Sequence, residues 1–178
     1  MIRLFAALAI PEDIGQALAR RQVGVDGARW RPLDALHITL RFFGDIREDL
    51  ARDLDAELIC LHSQAFDLEL SGVGAFGEGP DLHALWAGVA ENEPLRRLTK
   101  ACESAARRVG LKPETRLYRP HVTLAYLRHP DPAEVAAWIQ ANNLLKSPPI
   151  RATCFGVYSS FQGSEQSHYR LEAAYPLL

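Results

Sequence analysis

His37-Ile38-Thr39-Leu40 and His121-Val122-Thr123-Leu124 are the same four-residue phrase written twice: histidine, a β-branched apolar residue, threonine, leucine. Six histidines and five threonines in 178 residues would give roughly 0.2 His-x-Thr pairs by chance, so two that share a leucine mark a designed feature. In a strand, residues i and i+2 share a face. Each imidazole would then stand beside its threonine hydroxyl, with Ile38, Leu40, Val122 and Leu124 turned inward. Histidine titrates near pH 6.5, so one imidazole can be neutral while another is protonated. A neutral ring takes a proton from water and a protonated one gives a proton to a departing oxygen, each worth a factor of about 10² to 10⁴. Thr39 and Thr123 would donate hydrogen bonds to non-bridging oxygens of the reacting group. In-line hydrolysis of a strained phosphodiester needs this equipment and neither a serine nor a cysteine nucleophile. Two histidines without carboxylate or cysteine neighbours make an incomplete metal-ligand set. No metal and no cofactor are expected.

Two strands must hold these groups. Leu36–Phe43 reads as the first, closed by Gly44-Asp45, and Pro120–Leu127 as the second. Around them, Ile2–Ile10 reads as a buried strand and the segment from Glu12 to about Val23 as a helix opened by Pro11. Leucines at 50, 54, 58 and 61 give helical spacing from Arg47 to His62. Phe66–Leu70 and Leu82–Val89 read as strands, Pro94–Val109 as a helix ended by Gly110, and Pro132 as the start of another reaching Asn142. The last strands fall near Ile150–Ser159 and Ser167–Ala173. Ser71 to Pro80, with four glycines, reads as a turn region. Seven strands and four helices without strict βαβ alternation make the class α+β. The 84 positions between the motifs, each followed by a turn and a helix, predict a pseudo-twofold. The expected architecture is bilobal, residues 1–178 as a single domain, with two antiparallel-rich sheets, outer helices and a central cleft lined by the motif strands.

Composition sets limits. The apolar and charged fractions, 48% and 24%, are those of an ordinary globular protein, and a net charge of −2 argues against a broad polyanion-binding surface. A basic pocket for one phosphate remains compatible, which favours a short nucleic-acid end or a small nucleotide over long duplex. Three cysteines without CxxC spacing suggest a reducing, cytoplasmic setting. The apolar run Leu4–Ile10 is too short to span a membrane, and no obligatory protein partner is implied; a monomer suffices.

By strand parity Arg41 and Phe43 join the His37 face, with Phe42 in the core unless a bulge intervenes. Tyr126 and Arg128 follow the second motif and complete the candidate substrate-binding set. His62, His83, His129 and His168 read as surface or loop residues, and Trp30 and Trp86 as packing anchors.

The two phrases resemble the paired HxTx signatures of the 2H phosphoesterase superfamily. Arg3-Leu4-Phe5-Ala6-Ala7-Leu8, Trp30-Arg31-Pro32, Leu36 through Gly44, Leu85-Trp86-Ala87-Gly88-Val89 and Arg119-Pro120-His121-Val122-Thr123-Leu124-Ala125 are similar to the bacterial and archaeal RNA 2′,3′-cyclic phosphodiesterases, also called 2′-5′ RNA ligases. The resemblance covers nearly the whole chain. It implies that a 2′,3′-cyclic phosphate is opened to a 2′-phosphate, with His37 as general acid on the leaving 3′ oxygen and His121 as general base on water. The partners it implies are RNA 3′ ends or small cyclic nucleotides. Such relatives often carry arginine five positions after the second histidine, where this chain has Tyr126. Arg41 or Arg128 could supply that charge, or Tyr126 could stack on a base. Two rival readings remain, a non-catalytic binder of RNA ends or nucleotides and an enzyme joining or cleaving 2′-5′ linkages. Binding alone would not need two titratable groups.

Overall fold

The computed structural model describes residues 1–164 and 166–178. In chain order it runs β1 (Ile2–Ala9), α1 (Glu12–Ala19), β2 (Arg29–Trp30), β3 (His37–Ile46), α2 (Glu48–Ile59), β4 (Phe66–Leu68), β5 (Leu70–Phe76), β6 (Ala84–Val89), α3 (Glu93–Arg108), β7 (His121–Tyr126), α4 (Pro132–Asn142), β8 (Ile150–Ala152), β9 (Cys154–Gln162) and β10 (Ser167–Pro176). Leaving out the short β2 and the last strand, the order β-α-β-α-β-β occurs twice, as the spacing of the motifs predicts.

The main sheet has the order β10-β9-β1-β3-β7-β6-β5, with β2 beside β7, and β4 pairs with β8 separately. The two halves exchange their last strands: β5 of the first repeat borders β6, and β9 of the second borders β1. The expected pair of antiparallel sheets is thus joined into one. Among the described residues a single pairing, Ile38 opposite Val122, links β3 to β7. These positions are equivalent in the two repeats, so the pseudo-twofold passes through that pairing.

The core forms beneath the motif strands. Ile38, Leu40, Val122 and Leu124 are all at most 2% exposed, each contributing about 1.5–3 kcal/mol by burial. Helix α3 brings Leu95, Leu98, Cys102, Ala105 and Ala106 to the buried side, the recurrence that 3.6 residues per turn requires. Asn92 caps it by accepting from the Leu95 amide, and Gly110, at φ +87°, ends it. Asp131 caps α4 in the same way through the Ala133 amide.

Three local expectations are corrected. The glycine-rich stretch is largely the strand β5, since Gly74 gives the Trp86 ring space that a β-carbon, 2.3 Å away, would fill. β3 continues through Gly44-Asp45 to Ile46. The segment near Ile150–Ser159 is two strands, β8 and β9. The true β5–β6 turn begins at Gly77, where φ is +88° and an added β-carbon would lie 2.0 Å from the Asp81 carbonyl oxygen. Gly77→Ala should cost at least about 2 kcal/mol in urea denaturation; an unchanged midpoint would contradict this backbone.

Candidate active site

Along each motif, exposure alternates as the strand period demands: His37 and Thr39 half-buried, Ile38 and Leu40 buried, with the same pattern at His121 to Leu124. Antiparallel pairing of Ile38 with Val122 sets His37 level with Thr123, and Thr39 level with His121. The two imidazoles are then diagonal neighbours, on strand positions about 7–8 Å apart with their β-carbons somewhat closer. A threonine stands beside each imidazole.

Both rings are oriented the same way. Nδ1 of His37 donates to the Ala35 carbonyl at 2.8 Å, and Nδ1 of His121 to the Arg119 carbonyl at 2.6 Å. A carbonyl only accepts, so Nδ1 carries the proton and Nε2 is left free for the reacting group. Ala35 ends a 3₁₀ turn, Leu33–Ala35, which places its carbonyl under the ring. Aromatic neighbours fix both planes: Phe5 at 4.9 Å and Tyr169 at 5.2 Å from the His37 centroid, Phe76 at 4.8 Å from that of His121. Burial pushes the His37 imidazole down to about 4, with the charges of Arg31 and His121 adding to the shift and the hydrogen bond to Ala35 opposing it. Burial also lowers His121, which its bond to Arg119 partly opposes.

The candidate substrate-binding residues fare differently. The β1–β3 register slips between Ala6 and Ala7, so that Ala7 faces Thr39 and Ala6 faces Arg41, and Leu40 is the extra residue of a bulge. Parity inverts there. Arg41 turns away from the histidines, is 8% exposed, and binds Glu103 at 2.5 Å and the Lys112 carbonyl at 2.6 Å. Phe43 is buried in the core and Phe42 is 42% exposed, the reverse of the unbulged expectation. Arg41 and Phe43 are therefore not cleft residues. The second motif bulges at the equivalent place: Trp86 faces Thr123 and Leu85 faces Ala125, passing over Leu124. That slip brings Tyr126 to the surface at 37% exposure. Arg128 is exposed in the loop after β7, outside the aromatic and charged contacts around the two histidines.

One residue beside His37 escapes motif-based reasoning. Arg31 is 5% exposed, with its guanidinium carbon 5.4 Å from the ring centroids of both Tyr126 and Tyr169. The Trp30-Arg31-Pro32 run marks the position in the sequence but not these contacts, which pairing of β2 with β7 and the arrival of β10 create.

A family described as the 2′-5′ RNA ligase superfamily matches residues 10–158. Proteins named RNA 2′,3′-cyclic phosphodiesterase are similar in sequence. That of Thermus thermophilus is 31% identical over 144 residues, 74% of this chain and 71% of that protein. The Archaeoglobus fulgidus protein is 28% identical, covering 76% and 77%. With the Aeropyrum pernix protein the match is 36% over 93 residues, spanning 52% of this chain and about half, 53%, of that relative's length. Among solved structures, a Thermus thermophilus protein superposes with a TM-score of 0.84 at 22% identity, covering 99% of this chain and 98% of its own. Escherichia coli LigT complexed with 3′-AMP gives 0.79 at 23% over the same shares. At such identities these two structures speak to the fold.

Proposed function

The chain belongs to the 2′-5′ RNA ligase superfamily, and from that membership and the cleft geometry we propose that it hydrolyses RNA 2′,3′-cyclic phosphate ends to 2′-phosphomonoesters. The observation that carries the reading is the register of β3 against β7, which sets two identically oriented imidazoles diagonally across one gap with a threonine beside each. Residues 1–178 would act as one catalytic unit.

The reaction balances with these groups alone. Water attacks phosphorus as His121 Nε2 accepts its proton. The bond from phosphorus to the 3′ oxygen breaks, and His37, protonated at Nε2, gives its proton to that oxygen. The product carries a 2′-phosphate and a free 3′ hydroxyl, and the two histidines have exchanged protonation states. Thr39 and Thr123 would hold the non-bridging oxygens, whose charge grows in the transition state. The His37 imidazole, held low in the free protein, gains its proton when the anionic phosphate arrives, because a negative neighbour favours the charged ring. The membrane plays no part in this scheme, and no helix among the described residues is long and apolar enough to cross one. Three free cysteines, at 60, 102 and 154, suit a reducing compartment, so we place the activity in the cytoplasm, carried out by a monomer.

A short RNA ending in a 2′,3′-cyclic phosphate, incubated with chelator-treated protein, should yield the 2′-phosphate at the untreated rate. Folded protein that leaves the end intact, or turnover that returns only with an added divalent cation, would overturn the proposal.

A further inference from the structure

Two arginines lie buried near the motif strands, and their bonding differs. Arg41 donates to Glu103, to the Phe42 carbonyl and to the Lys112 carbonyl, so its fork is occupied. Arg31 has five N–H donors, and its guanidinium meets only neutral partners, the Tyr169 hydroxyl and, at a long 3.4 Å, the Ser167 carbonyl. Among the described residues no carboxylate lies within ion-pair distance of it.

Its backbone is pinned between the repeats. The Arg31 amide donates to the Leu124 carbonyl at 2.8 Å, and Gln22 Nε2 donates to the carbonyls of both Arg31 and Leu124. The side chain therefore starts one residue beyond Thr123 and enters between Tyr126 and Tyr169, each ring centroid 5.4 Å from the guanidinium carbon. Tyr169 in turn stands edge-on to His37 at 5.2 Å. Two aromatic faces hold the cation at low entropy, near enough to His37 for its charge to act on that imidazole.

We propose that Arg31 is the phosphate-binding cation of this site, donating to a non-bridging oxygen from its seat between Tyr126 and Tyr169. The identity of the substrate rests on the cyclic phosphodiesterase reading; the binding of phosphate does not. The clamp also accounts for a tyrosine at 126. An arginine placed there would direct its own guanidinium to the ground that Arg31 occupies from the other side.

Inorganic phosphate titrated into the wild-type protein should shift the Arg31 Nε–H resonance saturably. Arg31→Met should weaken phosphate binding roughly 10- to 100-fold, the range of a charged hydrogen bond, and raise KM for the cyclic phosphate more than it lowers kcat. The His37 imidazole, which faces Arg31, His121 and Tyr169, should titrate at higher pH in that variant. Adding Tyr126→Arg to Arg31→Met should restore phosphate affinity. Phosphate that leaves the wild-type Arg31 resonance unmoved, that binds Arg31→Met as tightly, or that fails to saturate overturns the proposal. The wild-type titration decides the question even if Arg31→Met does not fold. Saturable binding through Arg31 without hydrolysis would sink only the proposed reaction, and unchanged kcat/KM in folded Arg31→Met only this inference.

Discussion

His37→Ala and His121→Ala will each lower kcat/KM on a 2′,3′-cyclic phosphate by about 10² to 10⁴, and the double variant will be little worse than the poorer single one. Groups that move protons in one transition state fail together, so their losses do not add. Both variants should stay folded, since among the described residues each ring is bonded to the protein only through a carbonyl two residues away and aromatic contacts. The roles separate when the leaving group changes. A 2′-deoxynucleoside 3′-(p-nitrophenyl phosphate), which has no 2′ hydroxyl to cyclise and must be attacked by water, expels a stable phenolate and needs no proton from the enzyme. With His37 as acid, His37→Ala should recover most of its loss on that substrate, while His121→Ala should not. Rescue of His121→Ala instead would exchange the two roles, and rescue of neither would remove acid catalysis from the mechanism.

How far the sequence discloses this site depends on where each constraint resides. The alternation of His37 to Leu40 and of His121 to Leu124 is local, and period-two geometry alone yields the half-buried and buried faces observed. Capping by Asp131 ahead of Pro132 is local too. The bulges at Leu40 and Leu124 are not, because they arise where β3 and β7 slip against the small residues of β1 and against Leu85-Trp86 of β6. Nothing in the motif strands themselves announces the slip, so parity carried past it puts Arg41 and Phe43 on the wrong face. Their equivalence in the two repeats explains why position 126, five residues after its histidine, reaches the surface at all. Arg31 is the extreme case. It lies six residues before His37 and some ninety before Tyr126, and three separate strands bring its contacts together.

Between pH 6.5 and 8, kcat/KM should fall steadily as pH rises. The productive state has its one proton on His37, a fixed fraction of the singly protonated pair at any pH, so a bell-shaped profile reports the free enzyme's two apparent values. An unperturbed pair would centre that bell on neutrality. Burial moves both limbs to acid, with His37 at about 4 and His121 below its ordinary 6.5. The sign is fixed by the depressed values: above them both rings are neutral and the acid is missing, and below them both are charged and the base is missing. The maximum therefore lies below pH 6.5. Bound substrate places an anionic phosphate beside both rings and raises their values, so the kcat profile must sit to the alkaline side of the kcat/KM profile. That gap measures the proton drawn in with the substrate. It should appear independently as net proton uptake on binding inorganic phosphate near pH 6.5, read from the buffer dependence of the calorimetric heat. A kcat/KM maximum above pH 7 would mean that the free site is more polar than its aromatic walls imply. Coincident kcat and kcat/KM profiles would mean that the phosphate does not lie between the histidines.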